Sequence, residues 1–513
     1  MMNDNKKRMK RGVAFPVRLL IIVLLLLAEV GLVFAMVAYM RVNMAVVYTV
    51  FQLIGVALVV YIVNKPDNPS YKMSWIVFII LLPLAGCFFY MIRGGSRVLP
   101  RVKKRMAALD STAAEHMPQQ PEVAERLKAE YPQAWRQSQY LYRGSTFPVY
   151  GGTDAEFLAP GEKMLERLLE ELQKAEKSIF IEFFILAEGI MWDSIHKILK
   201  EKAAAGVDVR IIFDDFGSIQ RQSRGFIKRM RADGIKTAVF NPLRPSIDMF
   251  MNNRNHRKIV VIDGSTAFTG GVNIGDEYIN LWERHGYWLD SAVMIKGSAV
   301  YSFTLMFMNM WSFINGTDYS APGRPAAVQG ARGFVQPYCD GPFNKENPAE
   351  KLYMQILHTA QKYVYITTPY LILDDEMEIM LKLAAQSGVD VRIITPKIRD
   401  KWYVHPVTRS YYTGLMKKGI HIYEYTPGFI HSKLFVSDDS VATVGSVNMD
   451  YRSFYFHFEC GTWLCGDKAV ADVKRHVDDI IAQSEEITLA SMKSEPLHKK
   501  IGRSLLRLFA PFM

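Results

Sequence analysis

The sequence predicts an α/β protein made of two tandem α/β/α halves related by a pseudo-twofold and preceded by N-terminal transmembrane helices. Three observations predict it. The heptapeptide Gly206-Val-Asp-Val-Arg-Ile-Ile212 recurs unchanged as Gly388-Val-Asp-Val-Arg-Ile-Ile394, and identity over that length marks an internal duplication. Each copy follows a helix-like stretch (194–205 and 376–386) and, upstream of that, an apolar strand-like run (178–186 and 363–373). Short apolar strands alternating with helical stretches read as α/β with a largely parallel sheet. The third observation is a set of three long apolar runs within the first hundred residues.

In chain order, residues 1–105 read as a membrane anchor with two or three hydrophobic helices. The runs are Leu19 to Met40, interrupted by Glu29, then Val42 to Val63, and Ser74 to Ile92. About 20 apolar residues cross a hydrocarbon core of about 30 Å. Lys6, Lys7, Arg8, Lys10 and Arg11 precede the first run, and Arg93, Arg97, Arg101, Lys103, Lys104 and Arg105 follow the third. Both basic clusters prefer the cytoplasmic side, which demands an even number of crossings. Two crossings with one run re-entrant or interfacial satisfy this and leave the large C-terminal part cytoplasmic. Three crossings with that part outside are the alternative. Residues 106–149 read as a helical linker, 150–330 as the first half and 331–490 as the second. Residues 491–513 mix Leu, Ile and Phe with Lys and Arg, the pattern of an interfacial helix or of a packed terminal one.

The formal charge of +11 sits at the front: residues 1–105 carry 15 Lys+Arg against 3 Asp+Glu, leaving 47 against 48 in the rest. A neutral body counts against a nucleic-acid partner, whose phosphates call for a spread of Lys and Arg. Cys87, Cys339, Cys460 and Cys465 form neither a disulfide framework nor a paired zinc-ligand spacing. No metal and no cofactor are expected.

The chemistry lies downstream of each heptapeptide. Asn255-His256-Arg257-Lys258 leads to Asp263 and to Gly270-Gly271-Val272-Asn273. Ile430-His431-Ser432-Lys433 leads to Asp438 and to Gly445-Ser446-Val447-Asn448. From each His, Lys stands at +2, Asp at +7, Gly at +14 and Asn at +17. In a strand, residues two apart share a face, so each half presents an imidazole and an ammonium together. Packed about a pseudo-twofold, the halves would join two His, two Lys and two Asn in one pocket suited to a phosphodiester. One imidazole attacks phosphorus; the other protonates the departing alcohol and deprotonates the incoming one. The lysines, the amides of Asn273 and Asn448, and the Gly/Ser446 turn would donate to the phosphate oxygens. Asp263 and Asp438 complete the catalytic motif, but their odd offsets read as organisers of the strand more than as participants.

These motifs, with Pro69-Ser-Tyr-Lys-Met-Ser-Trp75, Asn273-Ile-Gly-Asp-Glu-Tyr278 and Gly445-Ser-Val-Asn-Met-Asp-Tyr-Arg-Ser453, resemble the two-motif phospholipase D superfamily and, within it, the bacterial cardiolipin synthases. The resemblance covers nearly the whole chain. It implies that two phosphatidylglycerols give cardiolipin and glycerol through a phosphohistidine, at an anionic bacterial plasma membrane in which the enzyme is multi-pass. It assigns the nucleophile to His256 and the general acid/base to His431, and it carries over Asp290 and Glu459 as acids that orient an imidazole. Leu289 stands where the family has Arg, and His457 where it has Asn; His457 reads as a headgroup ligand or as a hydrogen-bonded strand residue. A membrane-bound phospholipase D, or a phosphatidyltransferase using another alcohol, would need the same residues. A nuclease of the superfamily fits the neutral body less well. Ile247 to Met251, just before His256, reads either as a lipid-dipping segment or as a buried loop.

Overall fold

A computed structural model describes residues 44–94, 100–243, 252–319, 321–344 and 346–513. The first hydrophobic run, Leu19 to Met40, and the segment Ile247 to Met251 lie outside them. The N-terminal part is helical: α1 (Met44–Asn64), α2 (Pro69–Leu81), α3 (Pro83–Arg93), α4 (Pro100–His116), α5 (Pro121–Glu130) and α6 (Pro132–Ser145). Five of these six open on a proline, whose fixed φ and missing N–H suit the first helical position.

The third hydrophobic run is not one span. It breaks at Leu82 into helices of 13 and 11 residues, each about 20 Å or less in length. Pro83 has no N–H to continue the first helix, and Gly86 lets the second fold back: a Cβ there would lie 2.6 Å from the Ile79 Cα. The result is a helical hairpin packed on α1 around Ile62, Trp75, Ile79, Cys87 and Tyr90. No helix among the described residues is long and apolar enough to cross a membrane, so the expected set of spanning helices is not met by these elements.

The first half contains β1 (Thr153–Leu158), α7 (Gly161–Lys174), β2 (Ser178–Phe183), α8 (Ile190–Ala204), β3 (Asp208–Asp214), α9 (Asp215–Ser218), α10 (Phe226–Ala232), β4 (Lys236–Phe240), β5 (Arg254–Asn255), β6 (Ile259–Ile262), β7 (Thr266–Gly270), β8 (Tyr287–Leu289), β9 (Ala292–Gly297) and α11 (Val300–Asn315). The second contains β10 (Phe334–Asp340), α12 (Pro348–Thr359), β11 (Tyr363–Thr367), α13 (Asp375–Gln386), β12 (Asp390–Pro396), α14 (Val404–Met416), β13 (His421–Tyr425), β14 (Gly428–Ile430), β15 (Leu434–Ser437), β16 (Val441–Gly445), β17 (His457–Cys465), α15 (Lys468–Ala482) and β18 (Ser484–Ile487). Two short helices, α16 (Leu489–Ser494) and α17 (Leu497–Arg507), follow.

The sheet orders match strand for strand: β1-β9-β7-β6-β2-β3-β4 and β10-β17-β16-β15-β11-β12-β13, with β18 added at the far edge. Both sheets are mixed, which corrects the expectation of a largely parallel sheet. The strands β2, β3 and β4 are parallel, but β6, β7, β9 and β1 pair antiparallel. Between β6 and β7, and between β15 and β16, the reason is local. Asp263 (φ 52°) and Gly264 (φ 66°), like Asp438 (φ 52°) and Asp439 (φ 55°), put two successive residues of a three-residue hairpin loop in the left-handed region, as tight hairpin connections favour. Such a turn returns the strand antiparallel.

The halves share one core. Ala267, Val293 and Ile295 of the first sheet belong to the same buried cluster as Ala442, Val444 and Leu464 of the second, with most of α11 between them. Two short parallel bridges also cross from half to half, β5 to β17 and β14 to β8.

Candidate active site

Those two bridges place the histidines. Arg254 and Asn255 pair with His457 and Phe458, and the His256 N–H then donates to the Phe458 carbonyl at 2.9 Å. In the other half Ile430 pairs with Leu289, and the His431 N–H donates to the Leu289 carbonyl at 2.7 Å. Each histidine is thereby laid against the strand that carries the opposite half's acid. His256 Nδ1 lies 2.9 and 3.0 Å from the two Glu459 oxygens; His431 Nδ1 lies 2.6 Å from Asp290 Oδ2. Both acids are fully buried. A carboxylate accepts Nδ1–H, which fixes the tautomer and leaves the lone pair on Nε2, as an attacking or proton-transferring imidazole needs.

The site is buried, and the proton affinities follow. Burial pushes His256 down to about 3 and His431 to about 4, against the pull of their carboxylates. Burial also lowers Lys258 to about 7 and Lys433 to about 8. The same burial disfavours the charge on Glu459 and Asp290, but the adjacent His and Lys outweigh it and hold both carboxyls below their usual range. Lys258 feels both Lys433 and Asp290, and Lys433 feels Glu459, so the two motifs form one electrostatic site. Lys258 Nζ donates to the His256 carbonyl at 2.5 Å, and Lys433 Nζ donates to the His431 carbonyl. A phosphodiester anion brought among these groups raises the proton affinity of every amine and imidazole near it.

The motif aspartates stand apart from the imidazoles, as organisers of the strands, although they belong to the catalytic motif in sequence. The four residues of β6, about 13 Å of extended chain, separate Lys258 from Asp263. Its carboxylate accepts the backbone N–H groups of Glu176, Lys177 and Ser178 at 2.7–2.9 Å. Asp438 does the same for Gln361, Lys362 and Tyr363 at 2.7–3.0 Å. Both residues tie their hairpin turn to the start of the neighbouring strand.

The expected phosphate donors also divide. The Gly271 and Ser446 N–H groups are spent in the sheet, on Ser291 and Cys460. The Ser446 hydroxyl donates to Glu459; it steadies an acid and does not face a phosphate. Gly271, its counterpart, leaves room for the other acid, since a Cβ there would sit 2.1 Å from Asp290 Oδ1. Asn273 accepts from the Ile185 N–H at 3.1 Å and donates to Tyr278 at 2.8 Å. Asn448 Nδ2 donates one of its two N–H groups to Asp450 Oδ2 at 3.4 Å, and its buried Oδ1, an acceptor, has no hydrogen-bond partner.

Sequence reasoning missed the group behind the first motif. Arg257 Nε and Asn255 Nδ2 donate to buried Glu182 at 2.8 and 2.7 Å, where the second half has Thr367 and Ser432 hydroxyls 3.0 Å apart. The signal was a carboxylate inside the otherwise apolar strand Ser178–Phe183. Of the two departures from the family pattern, Leu289 supplies only its carbonyl, while the His457 ring lies 5.6 Å from that of His256, with Nδ1 3.7 Å from Glu459. Ligand atoms of His256, His457 and Glu459 fall within 4.8 Å of one another, but a cation there would displace the hydrogen bond that orients His256.

Comparisons with known proteins give the family. Residues 168–311 and 353–481 match the family model described as cardiolipin synthase, PLD-like domain, and residues 53–95 match the phospholipase D-nuclease N-terminal model. An uncharacterized protein of Streptococcus mutans is 39% identical over 89% of the chain and 99% of its own length. The cardiolipin synthase of Geobacillus kaustophilus is 33% identical over 90% and 92%, and cardiolipin synthase 2 of Bacillus anthracis 32% over 89% and 89%. The crystal structure of phosphatidylserine synthase from Haemophilus influenzae superposes with a TM-score of 0.56 at 14% identity, over 74% of this chain and 98% of that one, a likeness of fold.

Proposed function

The chain belongs to the cardiolipin synthase family of phospholipase D-like proteins, which are phosphatidyltransferases, and we propose that it joins two phosphatidylglycerols into cardiolipin and glycerol. The observation that carries the mechanism is the pair of crossed imidazole–carboxylate contacts, Glu459 on His256 and Asp290 on His431. His256 Nε2 attacks the phosphorus of the first lipid, and the bond to glycerol breaks as His431 protonates the departing oxygen. His431 then takes the proton from a glycerol hydroxyl of the second lipid, whose oxygen displaces His256 and completes cardiolipin. Lys258, Lys433 and the amide of Asn448 offset the charge on the non-bridging oxygens. His431 acquires its proton when the phosphate enters and raises its affinity.

The finer setting belongs to the same proposal. The enzyme works at an anionic membrane, held there by its N-terminal hydrophobic runs, with the catalytic halves on the cytoplasmic side that their flanking basic residues favour. Exposed apolar side chains on α1 (Leu53, Val56, Val60), on the hairpin (Met73, Ile80, Leu81) and on α17 (Leu497, Ile501, Leu505) support membrane apposition. Reconstituted protein given headgroup-labelled phosphatidylglycerol should yield cardiolipin and glycerol in equal amounts, with phosphatidic acid minor. Phosphatidic acid as the main product would sink the transferase reading.

A further inference from the structure

A cavity of about 540 Å³ lies between the N-terminal hairpin and the catalytic body, within the ~300–1,000 Å³ usual for small-molecule sites. One wall is the face of α2 together with Phe89 of α3; the other is Phe456 with Leu508, Phe509 and Phe512. Polar lining comes mainly from Asn252, Asn253 and Arg452. The Ser74 hydroxyl, also at the wall, is spent on the Leu508 carbonyl at 2.9 Å.

The position of the polar end identifies the occupant. Asn253 immediately precedes β5 and Phe456 immediately precedes β17, and those strands pair in parallel from Arg254 and His457 onward. Following them for three residues, about 10 Å, leads to His256 and Glu459. Arg452 lies close enough to the site to disfavour a proton on His457. The groove is thus apolar and aromatic along its walls, has the amide of Asn253 at the end three residues from His256, has Arg452 held on the Phe512 carbonyl at 3.1 Å, and adjoins the exposed apolar Ile80, Leu81, Leu505 and Leu508. That sequence of environments matches a glycerophospholipid read from phosphate to tail.

We propose that this groove holds one fatty acyl chain of the phosphatidyl substrate, its ester end at Asn253 and its tail between the hairpin and the aromatic C-terminal residues. The proposal rests on phosphatidyl transfer at His256 and adds where the lipid lies. It gives the hairpin a role beyond attachment, because α2 forms a wall of the substrate site.

The test uses full-length protein in phosphatidylglycerol vesicles containing a phosphatidylglycerol with a diazirine near the end of one acyl chain. Irradiation should label Trp75, Phe89 or Phe456, and excess unlabelled phosphatidylglycerol should suppress it. Label confined to outward side chains such as Val60 and Ile80, or unaffected by competitor, overturns the proposal. A groove filled by another part of the chain would leave its walls unlabelled and overturn it equally. In parallel, Val77→Trp should lower the ratio of kcat/KM for long-chain over dihexanoyl phosphatidylglycerol about tenfold, the equivalent of two displaced methylenes. Val60→Trp, on the exposed face of α1, should leave that ratio alone, and an unchanged ratio in Val77→Trp counts against the groove. Labelling needs no turnover: groove labelling without cardiolipin would keep this site and remove the proposed reaction, whereas cardiolipin with label elsewhere would do the reverse.

Discussion

At the scale of single residues, the crossed pairing predicts which variants resemble each other. Glu459 serves His256 and Asp290 serves His431, so a phosphatidyl ester with a p-nitrophenol leaving group, which needs no acid, should separate them. Asp290→Asn and His431→Ala should release one burst of nitrophenolate and then stall with a covalent phosphohistidine. Glu459→Gln and His256→Ala should give no burst, with turnover reduced about 10²–10⁴-fold, the scale set by losing the carboxylate partner of a catalytic imidazole. A burst in Glu459→Gln would assign the roles the other way. The lysines predict a pH dependence. Burial holds Lys258 near 7 and Lys433 near 8, so the empty site loses positive charge as pH rises through that window, and kcat/KM, which reports the free enzyme, should fall there. At saturating lipid the bound phosphate raises both amines, so the decline in kcat should move to higher pH. A kcat/KM that climbs from pH 7 to 9 would contradict this.

At the scale of elements, the motif aspartate belongs to a turn. Asp263 carries a left-handed φ and accepts three backbone N–H groups, so Asp263→Ala should act through stability. The expected loss is about 1–3 kcal/mol of unfolding free energy by denaturant titration, with kcat per folded molecule changed less than tenfold. A collapse of kcat at unchanged stability would return Asp263 to the chemistry. The C-terminal helix shows the same economy of position. Arg503 and Arg507 face the body, toward Glu495 and Glu378, and the Arg507 guanidinium lies 4.2 Å over the Tyr411 ring, while Leu497, Ile501 and Leu505 point outward. The helix is packed on one face, as the terminal-helix reading of 491–513 expects, and its other face is apolar and exposed.

At the scale of the whole molecule, one chain holds one complete site. Both imidazoles, both acids and both lysines come from the same polypeptide, joined by two bridges and a shared core. Coexpression of His256→Ala with His431→Ala should therefore restore no more activity than the sum of the two variants, measured as cardiolipin formed per milligram. Recovery well above that sum would mean that chains exchange halves. Attachment of the hairpin is equally a property of the whole: Asn68 donates to Asp374 at 3.1 Å and to Tyr455 at 3.0 Å, and Phe512 packs on Tyr71 and Trp75. The first and last parts of the described chain close over the second half together.

The sequence by itself determined the duplication, the strands that flank each His-x-Lys motif, and the matching spacing of the two motifs, because these depend on local order: each motif is a three-residue extended link between two short strands, and residues two apart in extended chain share a face. It also carried the hairpin signals Asp263-Gly264 and Pro83, legible in hindsight as an antiparallel return and a broken span. Tertiary structure alone decided that each acid contacts the other half's histidine, that Ser446 braces Glu459, and which backbone N–H groups the motif aspartates hold. Those outcomes depend on contacts between residues such as His256 and Glu459, 203 positions apart, and distances of that kind are set only when two sheets share a core.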